Sequence, residues 1–247
     1  MKELTDEDLK IYEWQLDIPG HGVEGQKKLK NCVALISRTG GLGGPLAFQL
    51  ASAGVGKLIL AHGGDLKHSD LNRQILMKHD DIGKPRCEIA YETLKRFNPN
   101  IEVEIINSNI SEDNVEELIE RSDIVFDCAP LFEERFLMNR ECVKQKKPLV
   151  DCGMYSMEGQ LINIIPGKTP CLNCIFPEKP PHWKRKFPVF GAVSTLLASL
   201  GAIEGLKIIS GFGEPLMNKM LYINTQTLEF KKIPITKKTN CPTCGTI

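Results

Sequence analysis

The chain has no surplus of one charge: Lys+Arg and Asp+Glu each total 31 over 247 residues. No bulk field draws such a molecule to nucleic acid or to an anionic membrane, so recognition is expected to be local and no nucleic-acid partner is expected. An apolar leader is also lacking, since the opening MKELTDEDLK is charged throughout; a cytoplasmic protein is expected. A clean membrane-length run is missing as well. No charge occurs from Phe187 to Ile203, but Gly191, Ser194, Thr195, Ser199 and Gly201 dilute the stretch, and Glu204 and Lys207 follow it. It reads as a helix buried inside a globular domain, not as a membrane span. There is no internal repeat and no low-complexity tract, and no composition break marks a domain boundary. We expect residues 1–247 to form a single domain around one sizeable core.

Cysteine is the residue the chain does have, nine times over. Cys171-Leu-Asn-Cys174 and Cys241-Pro-Thr-Cys244 are two C-x-x-C knuckles, which together supply four thiolates for a tetrahedral Zn2+ site. Four thiolates leave no open coordination position, so the metal would be structural and would tie the C-terminal tail to the body. Disulfides or a thioredoxin-like redox pair are the alternatives. Cys32, Cys87, Cys128, Cys142 and Cys152 stand singly, mostly in apolar runs, and read as small buried hydrophobes.

Glycine is concentrated in the stretch from Cys32 to Gln74, where an apolar run meets Gly40-Gly41-Leu42-Gly43, then a helical pattern, then a second apolar run. A strand ending in a tight Gly turn delivers free helix N–H groups to an anion, and a nucleotide phosphate is the default guest. The first position of the usual G-x-G-x-x-G spacing is Arg38, however, and the strand-end position of a ribose-binding acid is His62. His62 itself is either a strand-end polar residue or a base.

Strand and helix patterns then alternate. Strands are expected at Cys32–Ser37, Lys57–His62, Ile101–Ile106, Ile124–Cys128 and Pro148–Cys152. Helices are expected at Asp6–Tyr12, Glu24–Lys30, Pro45–Ala53, Ser69–Lys78, Pro85–Phe97, Ser111 to about Glu120 with Ser111 as cap, and Phe132–Lys146. This is an α/β pattern, a doubly wound Rossmann-like sheet that is mostly parallel. Beyond Gly153 the segments Gly159–Ile165, Met220–Asn224 and Thr227–Pro234 read as β around an apolar helix at Val189–Ser210, giving an antiparallel or mixed C-terminal extension. The Pro-rich basic stretch from Phe176 to Lys186 reads as a solvated connection.

The order of features resembles the ThiF/MoeB/HesA family, the bacterial relatives of ubiquitin-activating enzymes. The residues that carry the resemblance include Tyr12-Glu-Trp-Gln15, Gly40-Gly-Leu-Gly43, Ala53-Gly-Val-Gly56, Ser69-Asp-Leu-Asn-Arg-Gln74, Gly83-Lys-Pro-Arg86, Asp127-Cys128, Arg135 with Asn139, and the two knuckles. The resemblance implies a homodimer with a structural zinc that binds ATP and Mg2+. It implies adenylation of the C-terminal Gly-Gly carboxylate of a ubiquitin-like sulfur-carrier protein. On the same ground Arg73 matches a phosphate-contacting arginine, and Arg86 stands where a lysine is usual. Gly40, Gly41 and Gly43 form the phosphate turn, and Asn72 and Gln74 are polar positioning groups. Attack of a carboxylate on the α-phosphorus builds negative charge, so fixed cations are what the reaction asks for.

Set against that pattern, several positions depart. Trp14 stands for the arginine that reaches the nucleotide of the partner subunit, Arg38 for the first glycine, His62 for the ribose acid and Asp70 for an asparagine. Pro130-Leu131 stands for an Asp-Asn pair at the metal, and Phe187 falls near a cysteine that some members use covalently. Arg38 adds a cation at the phosphate loop. Asp70, Glu133 and Glu134 are acids that could hold Mg2+ in another geometry, although Glu133 and Glu134 also suit a solvated first turn. Two functions are therefore open: an adenylating enzyme with altered nucleotide handling, or a carrier- or peptide-binding module without ATP chemistry. A nicotinamide oxidoreductase shares the Gly turn but leaves Ser69–Gln74 and the knuckles without a role.

Overall fold

The computed structural model describes residues 2–181, 183 and 186–245. His182, Lys184 and Arg185 of the Pro-rich stretch lie outside the described residues. Helices α1 (Asp6–Ile11), α2 (Glu13–Leu16) and α3 (Gly22–Asn31) lead into β1 (Val33–Ser37), α4 (Gly43–Ser52), β2 (Lys57–Ala61), α5 (Arg86–Phe97) and β3 (Glu102–Ile106). Then come α6 (Val115–Glu120), β4 (Ile124–Asp127), α7 (Phe132–Gln145), β5 (Leu149–Tyr155), β6 (Glu158–Ile164), α8 (Leu172–Ile175), α9 (Gly191–Ser210), β7 (Lys219–Asn224) and β8 (Glu229–Pro234). The strands form one sheet in the order β3-β2-β1-β4-β5-β6-β7-β8. It is parallel from β3 through β5 and antiparallel from β5 to β8, as the sequence pattern indicates.

Continuous apolar strands sit at the centre because both sheet faces are covered. In β1, Ala34 and Ile36 join the core under α4, α5 and α9, whereas Leu35 points to the core under α6 and α7. The apolar helix is α9. By length and composition it could cross a membrane, but here its glycines let it lie directly on the sheet. A Cβ at Gly205 would stand 2.3 Å from the Phe126 ring, and one at Gly201 2.6 Å from Cys152 Sγ. At the other extreme β8 is exposed along its length and carries Lys231 and Lys232, the charged edge that discourages further strand pairing.

Two helix expectations fail locally. Residues 69–78 do not form a helix; a 3-10 turn at His68–Asp70 is followed by turns. The Asp70 carboxylate accepts the Lys67 N–H at 3.0 Å and is drawn to two arginines, so side-chain partners and not i,i+4 backbone bonds set the path. Helix α6 begins at Val115, not at Ser111, because the Asn114 side chain accepts the Ser111 N–H at 2.9 Å and holds residues 111–114 as a turn.

Candidate functional site

A cavity of about 580 Å³ opens at the C-terminal ends of β1, β2, β4 and β5. The strand order reverses between β1 and β4, which is where open α/β sheets place ligands. The Gly turn after β1 forms one wall. Arg38 opens it with φ of 67°, the left-handed conformation that glycine adopts without penalty. The turn therefore keeps the backbone of the missing glycine while carrying a side chain. Gly43 admits none, since a Cβ there would fall 1.8 Å from the Arg38 carbonyl oxygen. At Gly41 a Cβ would meet the Arg73 side chain at 2.8 Å, whereas at Gly40 the nearest atom is 3.7 Å away.

The Arg38 charge is not an added cation in the phosphate loop. Its Nε donates to Glu134 Oε2 at 2.8 Å and its Nη2 to Oε1, a buried two-pronged pair. Glu134 is accordingly not a solvated first-turn acid, although Glu133 is, pairing with Lys179 at the surface. His62 follows β2, and its Nδ1 accepts the Thr39 backbone N–H at 3.1 Å. A main-chain N–H only donates, so Nδ1 carries the lone pair and the ring proton sits on Nε2.

Asp70 organises the opposite wall. Its Oδ2 accepts from Arg86 Nη2 at 2.5 Å and its Oδ1 from Arg73 Nη2 at 3.1 Å. Burial by itself would raise the Asp70 carboxyl. The hydrogen bonds from Arg86 and the Lys67 N–H, with the charges of Arg86 and Arg73, hold it below the usual carboxylate range instead. Arg73 is further oriented by the Ser69 carbonyl at 2.7 Å and by Asn72 Oδ1 at 2.8 Å. Arg38, Gly40, Gly41, His62, Asp70, Asn72, Arg73, Gln74 and Arg86 all line the cavity, while Gly43 supports the turn from behind. Arg86 Nε and Gln74 Oε1 are enclosed without a hydrogen-bond partner. Trp14 stands apart, 88% exposed on α2.

Among the cavity residues that sequence reasoning left without a role are Lys67, Arg135, Trp183 and Lys186. Arg135 is buried and donates to both oxygens of Asp151, from Nη2 at 2.8 and 2.7 Å. Asp127, paired with Asp151 in register on the adjacent strand, lies 3.5 Å from Arg135 Nε. Burial, followed by the neighbouring Asp151 charge, pushes the Asp127 carboxyl well above its ordinary range against the pull of Arg135. The signal in the sequence was an acid in each of two otherwise apolar strands, IVFDC and PLVDC. Trp183 closes the wall by donating its indole N–H to the Pro130 carbonyl at 2.6 Å and meeting the Phe132 ring edge-on at 5.2 Å. Part of the expected solvated loop is thus packed into the site, where the rings of Trp183, Phe187 and Tyr155 form a mutually tilted cluster. Cys128 and Cys152 also line the cavity, but burial raises both thiols far above their ordinary range, so neither is a ready nucleophile.

Mg2+ fits this donor set poorly. It is ordinarily anchored by one or two carboxylates alongside phosphate and water. Among the described residues that line the cavity Asp70 is the sole carboxylate, and both its oxygens are engaged. Glu134 is held by Arg38, Glu133 by Lys179, and Pro130 offers no side-chain oxygen.

Zinc fits well beside the middle of α7. Sγ of Cys171 lies 3.5 Å from that of Cys241, Cys174 Sγ the same distance from Cys244 Sγ, and all four lie within 4.8 Å of one another. A zinc tetrahedron with Zn–S near 2.3 Å has edges of about 3.8 Å. The four cysteines are free and buried, as a shared metal requires and disulfides do not. A carboxamide from α7 braces the knuckle: Asn139 Oδ1 accepts the Leu172 N–H and its Nδ2 donates to Asn173 Oδ1, both at 2.9 Å. Arg135 and Asn139, one turn apart, thus serve the cavity and the knuckle from one helix face.

A family model described as the ThiF family matches residues 12–243. The chain is 47% identical over 245 residues to Protein HesA of Leptolyngbya boryana, covering 99% of this chain and 88% of that one. It is 32% identical over 250 residues to the sulfur carrier protein adenylyltransferase of Thermus thermophilus, covering 98% and 92%. Among solved structures it is similar to E. coli MccB with AMPCPP and MccA, at a TM-score of 0.82 and 27% identity, covering 91% of this chain and 69% of that one. With a family match over almost its whole length and relatives at this identity, the chain belongs to the ThiF family.

Proposed function

We propose that this protein is an ATP-dependent adenylyltransferase that activates the C-terminal Gly-Gly carboxylate of a ubiquitin-like sulfur-carrier protein, and that it works as a homodimer. The observation that carries this reading is the pair of arginines yoked by Asp70 beside the Gly turn. In the reaction the carrier carboxylate oxygen attacks the α-phosphorus, the bond from that phosphorus to the bridging oxygen breaks, and pyrophosphate leaves with its electrons. Negative charge builds on the phosphoryl oxygens, where Arg73 and Arg86 stabilise it without reorganising. The carboxylate is already ionised at neutral pH, so no general base is needed and His62 serves as a wall of the turn. The names of the relatives support the same chemistry: one is a sulfur carrier protein adenylyltransferase, and MccB is seen with a nucleotide and its peptide MccA.

A second reading, a carrier-binding module without ATP chemistry, is favoured by Pro130 and by the Arg38–Glu134 pair that occupies the Gly turn. Exchange of labelled pyrophosphate into ATP in the presence of a Gly-Gly-ending carrier separates the two. Exchange is expected; carrier binding without exchange would establish the module. Light scattering on the same sample should return twice the chain mass, and the monomer mass would remove the dimer.

A further inference from the structure

The poor fit to a divalent cation is matched by a surplus of positive charge. Arg38, Lys67, Arg73, Arg86, Arg135 and Lys186 line the cavity. Three carboxylates answer them: Asp70 between Arg73 and Arg86, Glu134 on Arg38, and Asp151 on Arg135. Among the described residues three positive charges are left over for a ligand: the exposed Lys67 and Lys186, and one of the two arginines that share Asp70. On the side of the opening that follows β4, Pro130 and Leu131 offer no side-chain oxygen to a metal. The Pro130 carbonyl is engaged by Trp183, and the surrounding wall is made of aromatic rings. Two further features mark the arrangement as built and not merely degraded. Arg38 holds a backbone conformation that disfavours any side chain, at roughly 1–2 kcal/mol, and it is retained there by a two-pronged partner. Arg86 Nε is enclosed with no acceptor of its own.

We infer that the cavity binds its nucleotide as the metal-free polyphosphate anion, with cations of the chain standing in for Mg2+. The identity of the ligand rests on the adenylation reading; the independence from metal rests on the donor set. A guanidinium offers planar, fixed donors to phosphate oxygens and brings no hydration shell to strip, whereas Mg2+ gives up its waters reluctantly. Glu134 has a defined place in this arrangement. It is the carboxylate that could have faced a metal, and Arg38 neutralises it.

Calorimetric titration of the full-length protein with ATP, in excess EDTA and again in excess Mg2+, tests the inference directly. The two dissociation constants are expected to agree within about threefold. Binding that is weaker by about tenfold or more without Mg2+ would overturn the inference and leave the adenylation reading standing. No heat in either buffer would overturn that reading, and the inference with it. The variant Arg38→Gly places glycine in the left-handed position and releases Glu134. It is expected to lose about tenfold in affinity in EDTA and to regain it with Mg2+. An unchanged ratio between the two buffers would remove Arg38 from the role. If the lone Glu134 prevents folding, the double variant Arg38→Gly/Glu134→Gln removes the unpaired charge. It keeps the surplus of positive charge and is expected to bind in EDTA within about threefold of wild type, and a loss of about tenfold in EDTA would remove neutralisation of Glu134 as the role of Arg38.

Discussion

Asp70 accepts the Arg86 guanidinium at 2.5 Å while both side chains are almost completely buried, and it is this contact that sets where Arg86 stands in the cavity. Removing the acid leaves an unpaired buried guanidinium and frees Arg73 as well. Asp70→Asn should therefore cost about 3 kcal/mol of stability at neutral pH and roughly 100-fold in the rate of pyrophosphate exchange. The stability difference also has a pH signature. The folded-state Asp70 carboxyl lies below its unfolded value, so the pair contributes fully above that unfolded value, near 4, and is lost as pH falls through the folded one. Melting temperatures of wild type and variant should converge below about pH 4. A constant gap down to pH 2 would show that the ion pair is not the source.

The two glycines Gly40 and Gly43 should behave differently although both belong to the turn. A Cβ at Gly43 collides with backbone, the Arg38 carbonyl at 1.8 Å, and backbone cannot swing aside. Gly43→Ala is expected to destabilise by about 3 kcal/mol or more and to abolish nucleotide binding. Gly40→Ala meets only ordinary contact at 3.7 Å and should remain within about 1 kcal/mol of wild type. Chemical denaturation of the two variants side by side distinguishes them, and equal losses would mean that the turn, not the approach to Arg38, requires glycine.

The contrast also marks what could be read from the residues. Spacing located the Gly turn, the strands and the knuckles, because apolar periodicity and C-x-x-C pairs are local signals. Charge at Arg38 was legible, but its neutralisation was not: Glu134 is 96 positions away, and only the packing of α7 against the turn brings the two together. The same holds for Arg135 and Asp151, which the sequence shows as an arginine on a helix and an acid in a strand. Residues 69–78 misled in the other direction. The side chains of Asp70, Asn72 and Arg73, each with a partner in the fold, outcompeted the helix that a local pattern suggested.

Zinc should be present at one ion per chain by metal analysis, and it should be worth more to the tail than to the sheet. Cys241 and Cys244 place residues 241–245 against α8, where Thr243 Oγ1 donates to Asn173 Oδ1 at 2.8 Å. Cys241→Ser or stripping with a strong chelator should remove the metal and lower the melting temperature. A loss of about 3 kcal/mol corresponds to roughly 6–12 °C for a chain of this size. Hydrogen exchange should then rise in 171–176 and 235–245 but not in β1, β2 or β4. A metal-free protein with an unchanged melting temperature would show that the four thiols pack without an ion.

Asp127 and Asp151 are neighbours in register on parallel strands, yet their replacement should have opposite effects. Asp151 holds Arg135 with both oxygens, so Asp151→Asn leaves a buried guanidinium half unpaired and should cost about 3–5 kcal/mol. Asp127 keeps one oxygen on the Ala129 N–H at 2.9 Å and has no hydrogen-bond partner for the other. Burial and the Asp151 charge raise its carboxyl, so the folded chain holds a proton that the unfolded chain has released above about pH 4. Stability from this group therefore falls as pH rises from that point toward the folded-state value. Asp127→Asn carries a permanent N–H where that proton would sit and should escape the fall. Its melting temperature should match or exceed wild type at pH 8, and the advantage should shrink toward pH 5. Equal destabilisation by the two variants at pH 8 would mean that Asp127 is ionised in the fold and that Arg135 is shared between two carboxylates.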